Sequence, residues 1–175
     1  MGVDKASIDY HGKPQLEYLF ELLKTFLPNT YVSVKPGQKV DFTQDIIEDL
    51  LDTSGPINGI LSAMETFPGK SFLVLACDLP FISEKTLQQL IDERDISKPA
   101  TAFATQETGL PEPLAAIWES HAKAALRIHH LDEGKNCPRK FLLNTEIKLI
   151  HPKEDLELYN ANNPEEYQKA REIIG

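Results

Sequence analysis

The stretch SFLVLACDLPF, residues 71–81, decides the fold of this chain. Residues 71–78 are nearly all apolar and end in the carboxylate of Asp78, after which Pro80 turns the chain. Such a run is typical of a strand that is buried on both faces of a sheet. Ligands of open α/β sheets bind at the carboxyl ends of the strands. The stretch therefore predicts an α/β fold with a site beside Asp78.

Strand and helix patterns alternate on both sides of this stretch. Strand patterns cover residues 30–34, 100–105, 113–118 and 146–151, and helical patterns cover residues 14–26, 55–67, 83–95, 119–132 and 163–174. Residues 45–52 fit either a short strand or a helical turn. Alternation of this kind predicts βαβ units. We expect one domain over residues 1–175, a three-layer α/β/α structure with a mostly parallel central sheet.

Composition excludes several classes of protein. The 175 residues carry a formal net charge of −9, which repels nucleic acid and anionic membranes. No apolar run reaches the roughly 18 residues of a membrane span, and the first residues are too polar for a secretory signal. Cys77 and Cys137 have neither zinc-site spacing nor a disulfide framework, so we expect reduced thiols in a cytoplasmic protein.

Two acidic positions are candidates for ligand chemistry. Asp78 is placed to bind a hard cation such as Mg²⁺, which prefers one or two carboxylates together with substrate phosphates. Asp49 precedes the start of a helix at Gly55 by six residues and could accept hydrogen bonds from a guanine or a ribose. The alternatives are that Asp78 only caps its turn and that Asp49 belongs to a solvated acidic loop.

The segment SGPINGI, residues 54–60, forms the predicted start of that helix. Pro56 suits a first helical turn, and Gly55 and Gly59 remove side chains from this end. A helix start of this kind offers free N–H groups to an anion or a polar base. The alternative is an ordinary helix start with a close packing contact at Gly59.

Three other groups of polar residues stand out. Lys5 precedes a predicted strand and could reach phosphates, or form a solvated pair with Asp4. Arg139 belongs to the only adjacent basic pair and could bind a substrate phosphate, or lie in a turn before a helix. Asn160 and Asn162 precede a helix, and a capping role for their neighbour Asn163 leaves them unexplained.

These segments, taken in order, resemble the molybdenum cofactor guanylyltransferase family, nucleotidyltransferases with a GT-A-like fold. The matching segments are MGVDKASIDYHGKPQ, TYVSV, IIEDLLDTSGPINGI, FLVLACDLPF, GLPEPLAAIW and YNANNPEEY. The resemblance implies Mg²⁺-dependent transfer of GMP from GTP to molybdopterin, with release of pyrophosphate. It implies GTP and molybdopterin as small-molecule partners, and a molybdoenzyme or cofactor-carrier protein as the class of protein partner.

The resemblance also assigns roles around the nucleotide. Lys5 matches the lysine that contacts the phosphates and serves catalysis. Ser33 lies where the family has a small polar residue in contact with the nucleotide. Asp49 matches the acidic residue near the guanine and ribose, and Gly55 and Gly59 match the glycines beside the base.

Further roles concern the metal and the acceptor. Asp78 matches the catalytic magnesium ligand. Asn160 and Asn162 match asparagines close to the metal and to the incoming pterin phosphate. Phosphoryl transfer depends on positioning and charge neutralisation, so no nucleophile–base pair is expected.

The sequence departs from the family at its start. The family has a strand and a glycine-rich loop of the form LxGGxSxRMG before the Asp-Lys pair, and only Met1-Gly2 remains of it here. We expect an N-terminal truncation, from an internal methionine taken as the start or from cloning. Loss of a central strand exposes strand edges. The expected consequences are low stability or association, together with weak GTP binding.

Other functions remain open on the sequence alone. The same scaffold serves cytidylyl transfer to molybdopterin and nucleotidyl transfer to sugar phosphates, and the base choice depends on loop contacts around residues 49–59. A non-catalytic nucleotide-binding or partner-binding module is the alternative outside the enzymes.

Overall fold

The computed structural model describes residues 5–40, 45–53 and 55–175. Helices and strands alternate through this part of the chain as the sequence predicts. The strands are β1 (Val32–Val34), β2 (Ile46–Glu48), β3 (Phe72–Leu75), β4 (Ala100–Ala104), β5 (Pro111–Trp118) and β6 (Lys148–Ile150). The helices are α1 (Gln15–Phe26), α2 (Pro56–Thr66), α3 (Glu84–Asp92), α4 (Lys123–Arg127), α5 (Pro138–Leu143) and α6 (Pro164–Ile174), with a π-helical turn at Ile128–Asp132.

The larger sheet has the strand order β3-β5-β4-β6. Strand β5 runs antiparallel to both β3 and β4, and β6 runs parallel to β4. Three of the four strands therefore point the same way, and β5 alone runs against them. The predicted mostly parallel sheet is therefore confirmed, and β5 is the antiparallel strand within it.

Helices cover both faces of this sheet, because successive strand residues point to opposite sides. Ala115 and Ile117 of β5 pack with α1 and α3 in one buried cluster. Ala116 and Trp118 pack with α2, α4 and α5 in another. The predicted three-layer α/β/α arrangement is confirmed.

A second, two-stranded sheet contains β1 and β2, which pair in parallel. Strand β1 and strand β3 are edge strands of their two sheets, and both line one groove of about 850 Å³. The groove runs from the amino ends of these strands, at residues 28–31 and 70–71, to the carboxyl end of β1 at Lys35.

The expectation that β3 is buried on both faces is wrong. Its four residues, Phe72–Leu75, are all only half-buried, although all are apolar. The physical reason is their place at the sheet edge, where each of them lines the groove.

Candidate functional site

Lys5, Asp78 and Asn162 meet just beyond the carboxyl end of β3. The Lys5 ammonium lies 3.0 Å from Oδ2 of Asp78 and donates to Oδ1 of Asn162 at 2.6 Å. The Asp78 side chain is 19% exposed and that of Lys5 is 34% exposed. The structure thus joins three predicted site residues that are remote in the sequence.

Backbone contacts hold the chain segments that carry these side chains. Ala161 N donates to the carbonyl of Asp78 at 2.9 Å, which fixes the loop before α6 against the turn after β3. Asn162 N donates to Oε2 of Glu166, in the first turn of α6, at 2.6 Å. The position of Asn162 therefore depends on the start of α6.

The turn after Asp78 is held from the other side by α1 and the chain before it. Gln15 is fully buried, and its Nε2 donates to the carbonyl of Leu79 at 3.1 Å. Nε2 of His11 lies 2.9 Å from the carbonyl of Pro80. These contacts fix the turn that presents the Asp78 carboxylate.

The Asn160 side chain binds the backbone close to it, whereas that of Asn162 binds the Lys5 ammonium. Its side-chain amide donates to the carbonyl of Leu158 at 3.1 Å. Its predicted role near the pterin phosphate stays a prediction.

Tyr10 lies beside this group as a neutral phenol. Burial, with smaller contributions from Tyr167 and the negative charge of Asp78, raises the pKa of Tyr10 to about 12. The ring packs edge-on against that of Tyr167 in α6. Tyr10 therefore adds no charge near Asp78 at neutral pH.

A second group is formed by Ser33 in β1, Asp49 directly after β2 and Gly59 in α2. A Cβ atom on Gly59 would lie 2.6 Å from Oγ of Ser33 and 3.6 Å from Oδ1 of Asp49. A side chain at residue 59 would therefore fit only if the Ser33 hydroxyl moved away. The close packing contact that the sequence allowed at Gly59 is therefore present, and its partners are two of the predicted nucleotide ligands.

Gly55 is the residue before α2 and has a φ of 104°, a conformation that favours glycine. Pro56 occupies the first helical turn, as predicted. Ser54, the other member of the predicted segment, lies outside the described residues, as do Met1, Gly2 and Asp4. The start of this helix lies at the same groove as Ser33, Asp49 and Gly59, because Gly55 and Pro56 also line that groove.

Burial raises the pKa of the Asp49 carboxyl, and the positive charge of Lys35 lowers it by a smaller amount. Both residues line the groove. A partly desolvated carboxylate gains more from a hydrogen-bond donor than a solvated one does. Asp49 is therefore suited to accept hydrogen bonds from a ligand in the groove.

Arg139 has protein partners in the structure. Its Nε donates to the carbonyl of Pro111 at 2.9 Å, and its Nη2 donates to Oε2 of Glu112 at 2.7 Å. Glu112 is 12% exposed and Arg139 is 43% exposed. This pair joins the start of β5 to α5, while part of the guanidinium stays exposed. A phosphate-binding role for Arg139 stays a prediction.

Asp78 and Asn162 are the residues near Lys5 that could hold a magnesium ion. Within the described ranges, no group of three or more His, Cys, Asp or Glu side chains could hold a metal ion. Asp78 Oδ2 and Asn162 Oδ1 nevertheless converge on one cationic nitrogen, which shows that both can approach a single positive charge. Magnesium takes few protein ligands when phosphates supply the rest.

Sequence reasoning missed the polar residues that support these groups. Asn58 and Ser62 are fully buried on α2 and bind the backbone after Asp49. For Gln15 the sequence predicts only that it lies in a helix. Asn58 carries a readable signal, because an amide between two glycines of a helix start has few reasons to be there other than hydrogen bonding. Gln15 carries none, since one polar residue beside an apolar stripe is common.

This chain is similar in sequence to known nucleotidyltransferases and proteins of molybdenum cofactor biosynthesis. Residues 1–148 match the model of the MobA-like NTP transferase domain. A molybdenum cofactor biosynthesis bifunctional protein of Synechocystis is 32% identical over 95% of this chain, and the match spans 49% of that protein. A molybdenum cofactor guanylyltransferase of Pseudomonas paraeruginosa is 28% identical over 98% of this chain and 88% of its own length.

The fold is also that of a solved relative. The crystal structure of molybdopterin-guanine dinucleotide biosynthesis protein A from Archaeoglobus fulgidus has a TM-score of 0.78, at 23% identity, over 98% of this chain and 91% of its own. In the part of the chain that the structure describes, no helix has the length and apolar character needed to cross a membrane. The family match covers most of the sequence, and the chain belongs to the family of MobA-like NTP transferase domains.

Proposed function

We propose that this chain transfers GMP from GTP to molybdopterin, giving molybdopterin guanine dinucleotide and pyrophosphate. The observation that carries the proposal is the convergence of Lys5, Asp78 and Asn162 just beyond the end of β3. The names of the Synechocystis and Pseudomonas relatives support the choice of cofactor.

In the proposed reaction, a phosphate oxygen of molybdopterin attacks the α-phosphorus of GTP. A new P–O bond forms as the bond between the α-phosphorus and the bridging oxygen breaks, and the electron pair leaves with pyrophosphate. Lys5 offsets negative charge on the phosphates as the bond breaks. Asn162 and the turn at Asp78 fix where that ammonium lies.

With the nucleotide bound, Asp78 and Asn162 would hold a Mg²⁺ ion in place of the Lys5 ammonium, which would then contact the phosphates. When bound, the ion would neutralise phosphate charge and orient the leaving group. That the reaction requires Mg²⁺ is part of the proposal.

The base would occupy the groove beside Ser33, Asp49 and Gly59. Guanine has N–H groups that can donate hydrogen bonds to the Asp49 carboxylate. The absence of a side chain at Gly59 lets a flat ring approach the helix. Cytidylyl transfer on the same scaffold is the competing activity. Turnover of GTP against CTP, with molybdopterin as acceptor, separates the two.

We also propose that the rest of this groove, along β1 and β3 and beside the part that the base would occupy, accepts one more apolar strand. The two strands are sheet edges, and the four apolar residues of β3 are only half-buried there. A strand between them would unite the two sheets and bury these side chains. This supports the expectation of a further central strand, which a fusion of a strand and glycine-rich loop before Met1 tests.

A decisive test compares Asp78→Asn with Asp92→Asn, an exposed aspartate on α3. The measurement is pyrophosphate release from GTP with molybdopterin and Mg²⁺, in the full chain with and without the added segment. We expect Asp78→Asn to abolish release and Asp92→Asn to leave it unchanged. Equal activity of the two variants would overturn the assignment of Asp78, and a folded but inactive extended chain would favour a binding module.

A further inference from the structure

Asn58 ties residues 49–53, the loop after β2, to helix α2. It is fully buried, although it lies in the first turn of the helix. Its Nδ2 donates to the carbonyls of Leu51 and Thr53 at 2.8 and 2.7 Å. Its Oδ1 accepts from Leu51 N at 3.4 Å. One side chain thus binds the backbone of this loop at three points.

All four hydrogen-bonding positions of the Asn58 amide are occupied, and this fixes the orientation of the amide. A carboxamide offers two donors and two acceptor sites. The fourth partner is Oγ of Ser62, one turn later, which donates to Oδ1 at 3.0 Å. Because Nδ2 faces two carbonyls, a flipped amide would place oxygen against oxygen.

Two further contacts hold the same loop. Oγ of Ser62 accepts from Leu50 N at 2.8 Å. Oγ1 of Thr53 lies 2.7 Å from Nε2 of His130, a buried residue of the π-helical turn. The loop is therefore fastened at Leu50, Leu51 and Thr53.

This loop begins with Asp49, and the helix that it is tied to carries Gly59 in the next position after Asn58. The distance of 3.6 Å from Oδ1 of Asp49 to a Cβ on Gly59 is therefore set by this pairing together with the bond from Asp49 N to the carbonyl of Val34 in β1, at 2.9 Å. Loss of that pairing would move the carboxylate relative to the surface that Gly59 leaves open.

We propose that Asn58 is a positioning residue that sets the selectivity of the base subsite. It touches the loop and not the base, and it acts by holding Asp49 opposite Gly59. The inference rests on the proposed function, because it assumes that the base lies against Asp49. It predicts that damage to Asn58 reduces discrimination between bases rather than binding of phosphate.

The test uses Asn58→Asp, which keeps the shape of the side chain but sets a carboxylate oxygen against two carbonyls. Ser62→Ala is a milder variant of the same network and keeps the test valid if Asn58→Asp fails to fold. The control is Thr101→Val in β4, which removes another buried hydrogen bond, from Asp95 N to Thr101 Oγ1. GMP and CMP are the probes, because neither needs a triphosphate subsite.

We expect the ratio of GMP to CMP affinity to fall by about tenfold in Asn58→Asp, by less in Ser62→Ala, and not in Thr101→Val. Amide hydrogen exchange at Leu50 and Leu51 should accelerate in the first two variants only. Stability losses with an unchanged affinity ratio in Asn58→Asp and Ser62→Ala would show a purely structural role and overturn the inference. A wild-type chain that binds CMP as well as GMP would instead overturn the proposed guanine preference on which the inference rests.

Discussion

The Nζ atom of Lys5 lies 3.0 Å from Oδ2 of Asp78, although 73 positions separate the two residues. The pair brings the start of the described chain to the carboxyl end of β3. The same nitrogen donates to Asn162, in the loop before α6. The beginning of the described chain and the segment before its last helix therefore meet at the Lys5 ammonium. Phosphate chemistry is expected at such a point, because a cation and a carboxylate that can bind metal lie together.

Replacement of Lys5 by Met should lower the turnover of GTP by about 100-fold, because a charge that stabilises the transition state is lost. Lys13→Met is the matched control, since the Lys13 side chain is 37% exposed and pairs with Glu21. Steady-state pyrophosphate release measures both variants. Similar losses in the two would show that Lys5 has no specific role.

Gly59→Ala should weaken nucleotide binding, because its Cβ would lie 2.6 Å from Oγ of Ser33. The contact is with the end of a small side chain, so we expect a stability loss of only about 1 kcal/mol. Ser33→Ala removes that oxygen. The double variant should regain the stability lost in Gly59→Ala but not any affinity supplied by the Ser33 hydroxyl. Thermal unfolding and nucleotide titration of the four proteins form a complete cycle, and no recovery of stability would contradict the contact.

Asp49→Asn should change stability in a pH-dependent way. Burial raises the pKa of Asp49, so the folded chain binds its proton more tightly than the unfolded chain does. The Asp49 carboxyl therefore contributes most to folding at low pH, and this contribution is lost as pH rises from the ordinary aspartate pKa through the raised one.

We expect the Asp49→Asn variant to be more stable than wild type at pH values above that interval. We also expect it to bind GTP less well. Denaturant unfolding at several pH values measures the first effect, and titration with GTP measures the second. A constant stability difference across the interval would contradict the desolvated state of Asp49.

Arg139→Ala tests whether this residue serves the substrate or the fold. Its guanidinium binds Glu112, and loss of a partner for a largely buried carboxylate costs about 1–3 kcal/mol. We expect that loss of stability in thermal or denaturant unfolding. A raised KM for molybdopterin without loss of stability would favour the phosphate-binding role that the sequence suggested.

Much of the fold is readable in the sequence because apolar periodicity and end signals agree. Ser83 caps α3 by accepting from Thr86 N, and Asn163 caps α6 by accepting from Glu166 N. The sequence predicts Asp78 at the end of a strand because a short apolar run before a proline turn is typical of a buried strand, and β3 does end at Leu75, just before it. The alternation of Ala115, Ala116, Ile117 and Trp118 between two cores is a direct consequence of strand geometry.

Other features depend on contacts that a linear sequence does not contain. The half-burial of β3 follows from its place at a sheet edge, which only the topology reveals. The partners of Arg139 lie in a distant strand, so a basic pair gave no indication of them. The sequence indicates that Asn58 makes hydrogen bonds, but only the structure shows that its partners are the backbone of Leu51 and Thr53, because residues 49–53 fold back on α2.

Addition of a strand and glycine-rich loop before Met1 tests the groove between β1 and β3. We expect a higher melting temperature and less self-association, because an added apolar strand would cover the exposed edges. A matched fusion with charged residues in the strand should give neither effect. Size-exclusion chromatography and thermal unfolding report both, and identical behaviour of the two fusions would contradict a strand-accepting groove.

The most direct test of the proposed activity is a product assay with GTP and CTP as competing donors. The chain, with and without the added segment, is incubated with molybdopterin, Mg²⁺ and equal amounts of the two nucleotides, and the dinucleotide products are identified by mass. We expect molybdopterin guanine dinucleotide in excess, with an equivalent amount of pyrophosphate, and loss of both in Asp78→Asn. A folded protein that makes the cytosine dinucleotide instead, or neither product in either form, would contradict guanylyl transfer.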